Sequence, residues 1–104
     1  MTAHETNGKR LGLSADLLRD VVDAIVRHAS PRKIIIYGSR ARGDFSPTSD
    51  IDIALETDNK NFIKNVIVDE VRTLLKIDIV DLDEVNDELR PEIVREGVII
   101  YEKA

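Results

Sequence analysis

Lys33-Ile34-Ile35-Ile36-Tyr37-Gly38-Ser39-Arg40-Ala41-Arg42-Gly43-Asp44-Phe45-Ser46-Pro47-Thr48-Ser49-Asp50-Ile51-Asp52-Ile53-Ala54-Leu55 is the stretch that decides how this chain folds. Its first five residues are a mainly β-branched run bounded by Pro31 and Gly38, as expected of a central strand covered on both faces. Residues 38–49 hold two glycines, three serines and Pro47, which predicts a loop with room for one helical turn. Residues 51–55 then alternate, which predicts a second strand. Side chains at i and i+2 of a strand share a face, so Asp50 and Asp52 are expected together while Ile51, Ile53 and Leu55 point the other way.

Upstream, Leu17, Leu18, Val21, Val22, Ile25, Val26 and Ala29 recur at spacings of three and four. They predict an amphipathic helix with Ser14 as N-cap, Asp16 in its first turn and an end near Ser30-Pro31. Residues 1–13 are polar, include Asn7-Gly8 and Gly12, and are expected to form a flexible arm ahead of one domain spanning 14–104. Downstream, Phe62, Ile63, Val66, Ile67, Val71, Leu74 and Leu75 predict a helix from about Lys60 to Lys76. Residues 77–82 predict a third strand. One or two short helices split near Pro91 follow, closed by Gly97, and Val98–Tyr101 makes a last strand. The expected fold is α/β (α+β): a small mixed sheet of three to four strands, with helices packed on one face and the Asp-bearing face open.

Composition narrows the function classes. With 104 residues the chain has the size of one domain. Charge breaks every apolar stretch well short of the roughly 20 residues a membrane span needs, and no secretory signal is legible, so a cytoplasmic location is expected. The absence of cysteine excludes disulfides, thiolate metal sites and a Cys nucleophile, so any metal must sit on oxygen or His ligands, and a carboxylate-rich site suits magnesium or manganese better than structural zinc. A net charge of −5 with 4% aromatic residues argues against general nucleic-acid binding or base stacking.

The candidate site is built from carboxylates. Asp50 and Asp52 repel each other, and Asp is a poor strand former, so the pair costs stability unless a divalent cation neutralises it. A solvated strand edge is the plain alternative. In residues 77–80 Ile77 and Ile79 take the core face, which puts Asp78 and Val80 on the side of Asp50 and Asp52; Asp81, Asp83 and Asp58 are expected as solvated turn acids. Gly38-Ser39 lets backbone approach an anion, although a Gly-Ser after a strand is by itself an ordinary turn. Neither His4, in the arm, nor His28, near the end of the first helix, is assigned to chemistry, and Tyr37 is assigned to packing.

Gly38-Ser39-Arg40-Ala41-Arg42-Gly43, then Ser49-Asp50-Ile51-Asp52, with ten residues between Ser39 and Asp50, resembles the minimal nucleotidyltransferases of the DNA polymerase beta-like superfamily. Asp78 matches that family's later strand aspartate, and the resemblance runs over roughly residues 14–101. It implies a polymerase beta-like fold and in-line transfer of a nucleoside monophosphate, AMP from ATP, to a hydroxyl. Two magnesium ions are implied on Asp50, Asp52 and Asp78, with Asp78 as metal ligand or general base. Gly38 and Ser39 would bind phosphates, and Arg42 or, with less to favour it, Arg40 would offset pyrophosphate charge, unless these arginines are solvated or paired to Asp44 or Glu56. Small members are similar to antitoxins encoded with a helical HEPN-type ribonuclease toxin, which implies a toxin tyrosine as acceptor within a hetero-oligomer. The alternatives are a binding module that neutralises a partner by complex formation and, ranked lower, an antibiotic nucleotidyltransferase.

Overall fold

A computed structural model describes residues 2–3 and 7–104, with side chains from Lys9 onward; His4 lies outside the described residues. The chain runs β1 (Thr2–Ala3), α1 (Asn7–Leu11), α2 (Ala15–Ala29), β2 (Lys33–Tyr37), α3 (Ser39–Arg42), β3 (Ile51–Glu56), α4 (Lys64–Glu70), β4 (Ile77–Asp81), α5 (Leu89–Glu96) and β5 (Val98–Glu102). The sheet order is β1-β5-β2-β3-β4, with the two-residue β1 adding an edge to the four longer strands. β2 is antiparallel to both β3 and β5, whereas β3 and β4 are parallel, so the sheet is mixed as expected.

The helix before β2 forms for the reasons legible in its residues. Ser14 is extended and its Oγ accepts from the Leu17 N–H at 3.0 Å, satisfying one free donor of the first turn. At the far end Ser30 adopts a left-handed conformation and its N–H returns to the Val26 carbonyl. The apolar stripe of α2 then packs on Ile34 and Ile36 of β2, Ile51, Ile53 and Leu55 of β3, and Ile77 and Ile79 of β4.

Three expectations change in the structure. The helix expected over 60–76 is confined to α4, because local side chains capture the backbone on both flanks. Thr57 Oγ1 accepts from Asn59 N, Asn59 Oδ1 from Asn61 N, and Thr73 Oγ1 from Leu75 N. Val71 is extended, and Leu74, expected on the buried stripe, is fully exposed. The arm drawn over 1–13 is packed at its end, since Leu11 and Leu13 belong to the main core. Gly97 closes α5 as expected, its N–H donating to the Ile93 carbonyl; a Cβ there would overlap Ile35 and that carbonyl, so the glycine permits close approach of α5 to β2.

The third change is that the opposite face of the sheet, expected to be open with every helix on the other side, is divided, because α5 covers part of it. Ile93 of α5 packs on Ile35, Ala54 and Leu82 in a second apolar cluster, with Tyr37, Val80 and Ile99 at its margin. Pro91 sits in the first turn of α5, where a missing N–H costs little. Beyond this cluster the same face carries Asp52 and Asp78.

Candidate active site

Register brings the aspartates together. Asp52 of β3 stands opposite Asp78 of β4 in the parallel pair, and opposite Tyr37 of β2 in the antiparallel one. Asp50 immediately precedes β3 and is exposed. Burial, then the charges of Asp50 and Asp78, raise the Asp52 carboxyl above its ordinary value, while Lys76 and Arg42 pull it back. Tyr37 is pushed up to about 12, by burial first and then by Asp52 and Asp78, so its hydroxyl keeps its proton beside the carboxylates.

The other acids are already committed to cations. Asp81, expected as a solvated turn residue, is buried, and both its oxygens accept from Lys60 Nζ, at 2.8 and 3.1 Å. Asp83 takes the same ammonium at 3.0 Å, and Asp58 pairs with Arg32. Among the described residues Asp50, Asp52 and Asp78 have no ion-pair partner of this kind.

Gly38 is fitted to this carboxylate cluster in two ways. It has φ +76°, which favours glycine, and a Cβ on it would stand 2.5 Å from Asp52 Oδ2. Ser39 opens the single helical turn α3, which is closed by Arg42 N donating to the Gly38 carbonyl and Gly43 N to the Ser39 carbonyl. Among the described residues the Ser39 hydroxyl has no hydrogen-bond partner.

The two arginines of α3 have opposite fates. Arg42 is half-exposed, reaches Asp44 at 3.4 Å and Glu96 at 3.7 Å, and is close enough to Asp52 to affect its ionisation. Arg40 is completely buried and donates to backbone carbonyls, so it is not turned toward an external anion. Sequence reasoning passed over Lys76, whose charge also acts on Asp52. Parity could have found it, since Lys76, Asp78 and Val80 alternate with Ile77 and Ile79. His28 is remote from this cluster in its contacts; its Nε2 lies 2.6 Å from Glu70 Oε1, in the link between α2 and α4.

The donor set suits a hard divalent cation in chemistry: it is all-oxygen, like-charged and, among the described residues, without a salt bridge, although Lys76 and Arg42 stand near enough to act on Asp52. In geometry it is open. Among the described residues no group of three or more His, Cys, Asp or Glu is gathered tightly enough to hold an ion unaided. Magnesium is characteristically held by one or two carboxylates together with substrate phosphates, which such an open set can accommodate.

The chain shares its fold with solved proteins. A structure described as a toxin-antitoxin with AMP-PNP matches with a TM-score of 0.69 at 20% identity, over 83% of this chain and 73% of that one. A Sulfolobus solfataricus protein described as a nucleotidyltransferase matches with a TM-score of 0.56 at 21% identity, over 85% and 79%. No curated protein matches the sequence. The family model for the polymerase beta nucleotidyltransferases matches residues 20–104, which takes in the Gly38-Ser39 turn and all three aspartates, and the chain therefore belongs to the polymerase beta nucleotidyltransferase family.

Proposed function

We propose that this chain is a magnesium-dependent nucleotidyltransferase that moves AMP from ATP to a hydroxyl on a partner protein, a tyrosine of a HEPN-type toxin, and so acts as an antitoxin. The observation that carries the reading is the Asp52–Asp78 register on adjacent parallel strands, with the Gly38 backbone seated against Asp52. Family membership supports nucleotidyl transfer, and the fold shared with a toxin-antitoxin structure containing AMP-PNP supports ATP and a protein partner.

In this reading Asp50 and Asp52 would hold magnesium, and Asp78 would complete the site beside the acceptor. When bound, the two ions would neutralise the triphosphate and polarise the phosphorus under attack. Gly38 and Ser39 receive the outer phosphates, with the Ser39 hydroxyl, unpartnered among the described residues, as a donor. Arg42 balances charge on the departing pyrophosphate. The acceptor oxygen forms a bond to the α-phosphorus as the bond to pyrophosphate breaks, and the acceptor proton passes to Asp78 or to solvent. Arg40 takes no part in contacting phosphate.

A second reading, neutralisation by complex formation alone, is favoured by one observation: Leu74, Ile63, Val66 and Val94 are large apolar side chains exposed to solvent. Incubation with the partner toxin, magnesium and ATP labelled at the α-phosphate separates the two. Transfer of label to the toxin, lost in Asp52→Asn, is the result expected of the enzyme. Inhibition of the toxin without label, unchanged in Asp52→Asn, would establish the binding module instead.

A further inference from the structure

Arg40 is a fully buried cation that faces no carboxylate among the described residues. Its guanidinium is instead caged by main-chain oxygens from two segments far apart in sequence. On one side Nη1 donates to the carbonyls of Leu11 at 3.0 Å and Gly12 at 3.2 Å. On the other, Nη2 donates to Pro47 at 3.2 Å and Ser49 at 2.9 Å, and Nε to Ser49 at 3.2 Å. The Phe45 ring lies 5.1 Å from Cζ.

A buried charge is tolerated only where its donors are met, so withdrawing either set of carbonyls leaves the cation short of partners on that side. The two segments are therefore held, or lost, together. Gly12 is built into the same joint: it has φ +70°, and a Cβ there would overlap the Phe45 ring and press on Arg40. Leu11 and Leu13, on either side of it, are core residues. On the loop side, Ser49 is the residue before Asp50 and is further tied to Ser46 through both its N–H and its hydroxyl. The family match begins at residue 20, so the N-terminal half of the cage lies outside the matched residues.

We propose that Arg40 is a positioning residue that couples the segment Leu11–Leu13 to the Ser49–Asp50 end of the loop, making that segment a structural part of the nucleotide site whose displacement loosens Asp50. The nucleotide assignment rests on the function proposed above, whereas the coupling stands on the bonds to Leu11, Gly12, Pro47 and Ser49.

The test uses the full chain and reads amide hydrogen exchange by NMR at Gly43 and Ser49, with Ile35 in the central strand as reference. Affinity for ATP with manganese is measured in parallel. Gly12→Ala alters the joint and leaves every residue from Leu13 onward unchanged. Arg40→Lys keeps the charge, but a single ammonium cannot reproduce the planar fork that reaches both sets of carbonyls. Both variants are expected to raise exchange at Gly43 and Ser49 by at least about tenfold, the loss of one or more hydrogen bonds to a charged group, and to weaken binding of manganese with ATP by a similar factor, with Ile35 unchanged. If Arg40→Lys fails to fold, Gly12→Ala decides alone. An increase confined to residues 9–13, or one that rises equally at Ile35, would overturn the coupling. Faster loop exchange in a protein that binds no ATP even as wild type would uphold the coupling and discard the nucleotide assignment.

Discussion

The two faces of β3 and β4 carry opposite chemistry on the same ten or so residues of strand. On one face Ile51, Ile53, Leu55, Ile77 and Ile79 are buried against α2, and on the other Asp52 and Asp78 stand side by side with their charges unpaired among the described residues. The contrast shows how a small domain holds a costly group in place. The apolar face fixes register, and a slip of one residue would turn isoleucines outward and aspartates into the core. The site is thereby positioned by residues that never touch it.

The sharpest way to break the comparison is to weaken the apolar face. Ile53→Ala leaves a cavity beneath a fully buried position and should cost about 2–5 kcal/mol in urea unfolding, with binding of nucleotide lost only as the fold is lost. Gly38→Ala comes next. It forces a side chain into a left-handed backbone and onto Asp52, so a destabilisation of about 1–3 kcal/mol is expected, together with loss of manganese and ATP binding while the protein is still folded.

Asp52→Asn should have the opposite sign. The fold raises the Asp52 carboxyl above 3.8, so its protonated form is favoured in the native state. That contribution is present in full below the unfolded value and is lost as pH rises through the folded one. In metal-free buffer the wild type should therefore lose stability over that rise relative to Asp52→Asn, and urea midpoints measured from acid to neutral pH check it. Equal pH dependence in the two proteins would refute the electrostatic reading of the site. The smallest effect belongs to Arg42→Gln, expected to shift stability by no more than about 0.5 kcal/mol while weakening ATP binding, since the side chain is exposed and its ion pairs are long. Calorimetric titration with ATP and a melting curve together distinguish this from a mere surface change.

Much of this division was legible in the residues. Alternation in Ile51–Leu55 and Ile77–Val80 assigned both faces, and the side chain of Ser14 marked the start of α2, because these signals are local and repeat at fixed periods. What the sequence did not disclose depends on distant partners. Arg40 and Arg42 are two residues apart in one turn, yet the first is caged by Leu11 and Gly12 from another segment while the second reaches Glu96 of α5. Asp81 was misread because its partner Lys60, placed by the apolar stripe at the start of a helix, lies instead in the turn before α4. The apolar stripe over 60–76 overstated the helix because Thr73 and Asn59 offer the backbone nearer hydrogen bonds. A helix here was expected, but not its place on the Asp-bearing face; Gly97, kept small by contact with Ile35, is the residue that permits that placement.

Manganese binding followed by electron paramagnetic resonance, in the presence of ATP, tests the site most directly. The account predicts a saturable loss of manganese signal on adding the wild type, beyond the loss that ATP causes alone, and its abolition in Asp52→Asn, whose fold is intact by the same urea criterion. A wild type that leaves the signal untouched, or an Asp52→Asn protein that binds as well as the wild type, would contradict it.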